Sequence, residues 1–352
     1  MRLFIVCSLA TTMHARLVKV FDTLWYGGSR WALGLLPVAW VFGALTGLRR
    51  YLYRHNFKKC PSLPVPVIVV GNISAGGAGK TPVVAWLSQQ LLESGYAPGI
   101  VSRGYGAQRN DEAVMVQPGA DPEIYGDEAV LLAELTACPV CVCIDRSAAV
   151  QRVAREGVNV VIADDGLQHY RMRRDFELVV VDAARGFGNG FLLPAGPLRE
   201  PISRLDSVDA VLVNGESALI GGIPFRLQQG EAVSLEDGTK RPLDSFAGQK
   251  VWSVAGIGNP ERFDAQLRAA GILPDPVPVP DHGRISLSDL QARRQQPVLM
   301  TSKDEVKYRN EQTDDCWCVT AQAQFTEDHA AGLMQQISER IPKPGEGETL
   351  DR

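Results

Sequence analysis

The 352-residue sequence predicts an α/β protein: a parallel sheet covered by helices, followed by a smaller C-terminal α/β domain and preceded by an N-terminal membrane-associating helix. Three observations carry that expectation. Short apolar runs such as "VPVIVV", "VNVVIADDG" and "FELVVVDA" alternate with stretches of helical periodicity, the pattern of parallel strands buried on both faces. A glycine-rich stretch joins the first of these strands to a helix. Near the start, "WALGLLPVAWVFGALTGL", from Trp31 to Leu48, runs without a charge.

Composition sets the outer limits. The length leaves room for about two domains at ~150 residues each, and 45% hydrophobic content suits a chain that buries real cores. A net charge of -4 gives no global signature of nucleic-acid binding, which needs a concentrated basic surface. The charge is unevenly spread. Up to Cys60 the single acid is Asp22, against Arg2, Arg16, Lys19, Arg30, Arg49, Arg50, Arg54, Lys58 and Lys59, so a basic segment (1–60) precedes an acidic body. The cysteines number 7, which points to a reducing compartment rather than a disulfide framework. Cys138, Cys141, Cys143, Cys316 and Cys318 sit in strand-like runs and are expected in the core, where free Cys behaves as a small hydrophobe.

The uncharged run would reach ~27 Å as a helix at ~1.5 Å per residue, close to a hydrocarbon layer of ~30 Å. Cations flank it on both sides, so charge asymmetry assigns no orientation to a span. Pro37 and three glycines weaken a straight spanning helix, while Trp25, Trp31, Trp40, Tyr51 and Tyr53 suit the headgroup level. A monotopic anchor on the cytoplasmic face is favoured over a true span or a buried soluble helix. The first residues superficially resemble a secretory signal, and Met13 is a candidate alternative start.

"VPVIVV" leads into "VGNISAGGAGKTP" and then into "VVAWLSQQLLESG", where Val83, Val84, Leu87, Leu91 and Leu92 repeat at helical spacing. The order is strand, loop, helix. Gly76, Gly77, Ala78 and Gly79 let the backbone close around phosphate oxygens, Lys80 can reach the β and γ phosphates, and Thr81 can offer a hydroxyl to Mg²⁺. The fold expected is therefore P-loop NTPase-like. Ser74 occupies the position of the usual first glycine, and a small residue there still permits the turn.

Further along, "PGIVSRG", "PVCVCID", "VNVVIADDG" and "FELVVVDA" predict strands, with "DEAVLLAELT" and "RSAAVQRVAREG" as helices. Ligands of such sheets gather at the carboxyl ends of the strands. Asp164 and Asp165 end one of them, and one of the pair can hold Mg²⁺; a plain Asp-Gly turn is the alternative. Asp127 and Glu128 open the helix after "YG", where capping and dipole stabilisation account for them as well as catalysis does. His282 has no chemistry forced on it by its neighbours.

Together, "FDTLWYGGS", "VGNISAGGAGKTPVV", "SRGYG", "YGDEA", "ADDGLQH", "LLPAGPLREP", "GIGNPERF", "PDH" and "TSKD" resemble the tetraacyldisaccharide 4'-kinases of lipid A biosynthesis. The likeness spans about Phe21 to Asp304. It implies transfer of the γ-phosphate of ATP, with Mg²⁺, to the 4'-hydroxyl of a lipid disaccharide 1-phosphate at the cytoplasmic face of the bacterial inner membrane. The product is the bisphosphorylated precursor lipid IVA. By resemblance, Lys80 and Thr81 serve phosphate and metal, Asp127 accepts the hydroxyl proton with His282 as partner, and Glu128 and Asp165 belong to the metal environment. Arg103, Arg146 and Arg199 are candidates for phosphate contacts, since a planar guanidinium fork suits phosphate oxygens. Ser302 departs from the family's usual T-E-K-D.

Beyond Gly215 the pattern becomes irregular, then "KVWSVAGIG", "PERFDAQLRAAG", "PVLMTSKD", "CWCVTA" and a helix near Asp328 to Arg340 predict a second α/β unit. The expected organisation is a membrane-associating segment (1–60), a P-loop kinase core (61–215), a smaller domain completing the cleft (216–342) and a flexible tail (343–352). The rival reading is a membrane-recruited ATPase switch. Such switches need a lysine just before the paired glycines, where this chain has Ala75. The partners expected are the lipid substrate and the membrane surface, with no nucleic acid and no protein partner inferable.

Overall fold

The computed structural model describes residues 20–107, 111–216, 220–279, 283–293, 296–308, 311 and 314–343. His282, the first nineteen residues and the tail from 344 lie outside them.

Residues 20–26 are helical, and a 3₁₀ segment, Arg30–Leu35, leads into α1 (Leu36–Arg54). Pro37 falls in the first turn of α1, where a missing N–H costs nothing. Trp40, Val41, Leu45 and Leu48 are exposed, with Leu45 at 63%, which excludes the buried soluble helix. The 25-residue helical stretch Arg30–Arg54 is long and apolar enough to cross a membrane by length and composition.

Next come β1 (Val67–Gly71), α2 (Lys80–Glu93), β2 (Pro98–Ser102), β3 (Val114–Val116), α3 (Asp127–Leu135), β4 (Val140–Val142), α4 (Arg146–Val153), β5 (Val160–Asp164) and β6 (Phe176–Asp182). After β7 (Ala210–Asn214) the chain continues through β8 (Ile223–Ser234), β9 (Lys240–Arg241), β10 (Lys250–Val254), α5 (Pro260–Ala269), β11 (Leu273–Val277), α6 (Leu287–Arg293), β12 (Val298–Thr301), β13 (Cys316–Gln324) and α7 (Glu327–Arg340).

These strands form one sheet in the order β11-β10-β12-β13-β8-β7-β6-β1-β5-β2-β4-β3, with β9 paired to β8. The core around β1 is parallel, as expected; β3–β4, β8–β9 and β8–β13 are antiparallel. The long β8 joins two lobes. Its first residues run parallel to β7 and its remainder runs antiparallel to β13. Separate apolar clusters lie under each lobe, Val67, Ile68 and Leu87 in the first and Phe246, Phe263 and Leu299 in the second.

The last helix does not stay with the second lobe. Leu333 and Ile337 of α7, and Ile341 after it, pack into the apolar cluster of the first lobe beside Leu87 and Leu91. There the buried Tyr96 hydroxyl donates to the Ile341 carbonyl at 2.7 Å. Cys138, Cys141, Cys143 and Cys316 are core residues as expected, and burial pushes the Cys141 thiol up to about 12.

Candidate active site

The phosphate loop leaves β1 and is braced by hydrogen bonds from its neighbours. Ala75 N–H donates to the Pro197 carbonyl and Arg199 N–H to the Ile73 carbonyl, both at 2.7 Å, so "LLPAGPLREP" braces the loop entry. The Asn72 amide donates to the Gly76 carbonyl at 3.1 Å, and the Gln168 amide holds the Asn72 carbonyl at 3.0 Å. Gly79, at φ +96°, makes the left-handed turn that starts α2. The same brace carries the N-terminal segment: the Trp25 indole donates to the Pro194 carbonyl at 3.0 Å, and Asn189 N–H to the Trp25 carbonyl at 2.8 Å. The helical turn 20–26, which precedes α1, is thereby hydrogen-bonded to the segment that braces the loop.

Val70 of β1 lies opposite Asp164 of β5 in the sheet register, so loop and acidic pair emerge side by side at the carboxyl ends of adjacent strands. The Lys80 ammonium sits 3.3 Å from the Asn72 amide oxygen and 3.5 Å from an Asp165 carboxylate oxygen. The other Asp165 oxygen accepts from Arg199 at 3.3 Å. Burial alone would raise the Asp165 carboxyl, but the cations of Lys80 and Arg199 outweigh it and hold it below the usual range. Asp164 is the opposite case. It is 1% exposed, and burial, reinforced by the negative charges of Glu128 and Asp165, pushes its carboxyl up to about 7.

The residues here suit a hard divalent cation. Neither Asp164 carboxylate oxygen has a hydrogen-bond partner among the described residues. No group of three or more His, Cys, Asp or Glu side chains converges among the described residues either. Mg²⁺ in phosphoryl-transfer sites typically takes about one or two carboxylates, with waters and substrate phosphates completing its shell.

Two cavities flank the loop. The larger, about 740 Å³, is walled by Arg103, Glu128, Arg146, Asp165 and Arg199, and extends to Phe42, Thr46 and Arg49 of α1. The smaller, about 180 Å³, runs along Ala78–Pro82 at the start of α2 and is closed by Leu131, Ile257 and Phe263. Gly258 of the second lobe crosses over the loop so closely that a Cβ there would stand 2.1 Å from the Gly77 nitrogen.

Most of the residues singled out in the sequence meet here, with two qualifications. Arg146 is 3% exposed and donates to the Cys143 and Asp164 carbonyls at 3.2 Å each, tying the ends of β4 and β5 together as well as facing the cavity. Burial pulls its guanidinium down to about 10, so it stays cationic at neutral pH. Glu128, not Asp127, forms the cavity wall. Asp127 is buried behind it, 3.8 Å from the Lys307 ammonium, and Gly126, not Asp127, is the N-cap of α3. Three neighbours escaped the sequence reading. Gln168 and Glu200 hold the loop through a 2.9 Å hydrogen bond, and Lys307 bridges Asp127 to Asp304, 3.0 Å away.

The family model described as tetraacyldisaccharide-1-P 4'-kinase matches residues 31–341. The tetraacyldisaccharide 4'-kinase of Nitrosococcus oceani is 44% identical over 322 residues, which cover 91% of this chain and 94% of the relative. That of Halorhodospira halophila is 50% identical over 288 residues, 81% of this chain and 87% of the relative. The crystal structure of LpxK from Aquifex aeolicus, in complex with ATP, matches with a TM-score of 0.72 at 27% identity, covering 88% of this chain and 99% of that one. With a family model across nearly its whole described length and two such relatives, the chain belongs to the tetraacyldisaccharide-1-P 4'-kinase family.

Proposed function

We propose that this protein is the lipid kinase that moves the γ-phosphate of ATP onto the 4'-hydroxyl of tetraacyldisaccharide 1-phosphate, yielding lipid IVA. The observation that supports it best is the pair of cavities meeting at Lys80. The smaller cavity, with apolar walls beside the loop, suits the nucleotide. The larger one, arginine-rich and reaching α1, suits a phosphorylated sugar whose acyl chains remain in the bilayer. A stand-alone ATPase switch has no use for the second cavity.

In this reading Lys80 and the amides from Gly76 to Thr81 hold the ATP phosphates. Thr81, Glu128 and Asp165 would hold Mg²⁺, with Asp164 behind them, and the ion would neutralise charge on the phosphates. Asp127 would accept the proton of the 4'-hydroxyl with His282 as its partner; since it lies behind Glu128 and beside Lys307, this role requires the start of α3 to open toward the larger cavity when the acceptor binds. Arg103 and Arg199 contact the sugar phosphate, and Arg146 chiefly shapes the floor. The second lobe, from 216, closes the cleft over the core formed by 61–215, which excludes water and limits wasteful hydrolysis. The exposed apolar face of α1 lies in the membrane interface as a monotopic anchor on the cytoplasmic face of the inner membrane.

The test is transfer from γ-labelled ATP to purified tetraacyldisaccharide 1-phosphate in detergent micelles with Mg²⁺. Wild type should label the lipid, and Lys80→Ala and Asp127→Ala should lose at least about 100-fold in rate. ATP hydrolysis without labelled lipid would sink the assignment.

A further inference from the structure

Five residues line both cavities: Gly77, Lys80, Glu128, Gly258 and Lys303. If one cavity holds ATP and the other the sugar, a phosphoryl group in flight passes through this overlap. Lys80 supplies positive charge there from the loop. Lys303 is the other lysine of the overlap, and it comes from the opposite lobe.

We infer that Lys303 is a second catalytic cation, delivered by the second lobe to the transferring phosphoryl group. This rests on the kinase reading above. The mount of the side chain is unusually firm. Lys303 belongs to the single helical turn Ser302–Glu305 that follows β12, and the next residue, Asp304, is fully buried. Asp304 accepts from Gly256 N–H at 2.9 Å, from the Thr301 hydroxyl at 2.6 Å and from the Lys307 ammonium at 3.0 Å. The same carboxylate thus fixes Lys303 and the strand end that carries Gly258 over the phosphate loop.

The Lys303 ammonium is 3.3 Å from a Glu128 carboxylate oxygen, with the two side chains 15% and 28% exposed. A partly exposed pair of this kind is weak and exchanges readily for a more highly charged partner. A phosphoryl group in transfer is such a partner, since its charge spreads over three equatorial oxygens. The bond from the γ-phosphorus to the β,γ-bridging oxygen breaks, and its electrons stay on ADP. The 4'-oxygen forms the new bond to phosphorus, and its proton goes to Asp127. Lys303 keeps its protons throughout and acts by charge alone. Because it sits on the second lobe, the site is electrostatically complete only when the lobes are closed.

The experiment compares full-length wild type with Lys303→Met. The lipid-transfer kcat should fall about 100-fold, the cost of one electrostatic contact made in the transition state. KM for ATP and for lipid, and the unfolding temperature, should stay near wild type. Affinity for ADP with aluminium fluoride and Mg²⁺, a mimic of the phosphoryl in flight, should fall about as much as kcat, while affinity for ADP alone is unchanged. A Met variant with wild-type kcat, or one that loses ADP and ADP-fluoride affinity equally, overturns the inference. If wild type labels no lipid, the kinase reading fails, and the comparison of ADP with ADP-fluoride still decides the role of Lys303.

Discussion

Gly258→Ala isolates the contact between the second lobe and the phosphate loop. The added methyl would lie 2.1 Å from the Gly77 nitrogen and 2.9 Å from the Gly76 carbonyl carbon. Side-chain carbons do not approach backbone atoms within 3.0 Å, so the two loops must part by roughly 1 Å. Both partners are backbone, and no flexible side chain can yield. Overpacking of this kind costs about 1–3 kcal/mol. If the strain falls on the closed, nucleotide-competent arrangement, ATP affinity drops about 5- to 150-fold at 1.4 kcal/mol per decade. Calorimetric titration with a non-hydrolysable ATP analogue reads this directly. Gly221→Ala is the control, because a Cβ there meets nothing within 4 Å. Wild-type nucleotide affinity in Gly258→Ala would refute the view that the lobes meet tightly over the loop.

Three other variants probe other parts of the molecule. Burial and the charges of Glu128 and Asp165 push the Asp164 carboxyl up to about 7 from its ordinary 3.8, so its contribution to stability is full below pH 4 and is lost as pH rises through 7. Without Mg²⁺, Asp164→Asn should therefore match wild type at pH 4 and exceed it at pH 8, by on the order of 4 kcal/mol at most; urea unfolding that shows the same difference at both pH values refutes this. Tyr96→Phe strands the buried Ile341 carbonyl and should cost about 1–2 kcal/mol in chemical denaturation, with kcat unchanged. Val41→Asp with Leu45→Asp alters an exposed face of α1 and should cut partition into lipid vesicles at least about tenfold while leaving the unfolding temperature alone. Undiminished vesicle binding would show that this face is not the one in the membrane.

The stretch from β1 through the phosphate loop to α2 was readable because each signal is local: a β-branched run, glycines where the backbone must turn, and an apolar stripe at helical spacing. The same holds for the DDG end of β5. Other elements were hidden for physical reasons. In β8, "IPFRLQQGEAVS", inward and exposed residues alternate from Phe225 to Gly230, but the phase breaks at Glu231, where the register against β13 shifts between Val319 and Ala321, and the inward positions include Gln229, so the apolar period is weak. β11 reads "LPDPV", with two prolines that signal a turn; it stands at the edge of the sheet, where a missing donor does little harm. Arg146 drew attention as a phosphate contact, yet much of its hydrogen bonding goes to two strand ends, a partnership set by tertiary packing. The helix α7 was legible, but not its partner, since Tyr96 and Ile341 come together only in the finished fold.

That closing role of α7 bears on how the protein is made. Leu333, Ile337 and Ile341 share one apolar cluster with Ala78, Val83 and Val84 at the phosphate loop, so that interior is closed only after α7 has been synthesised. Chains emerge at about 5–20 residues per second. β1 and α2 therefore leave the ribosome many seconds before α7. During that interval the first lobe lacks the side chains that close its interior, so nucleotide binding would be among the last properties of the chain to mature.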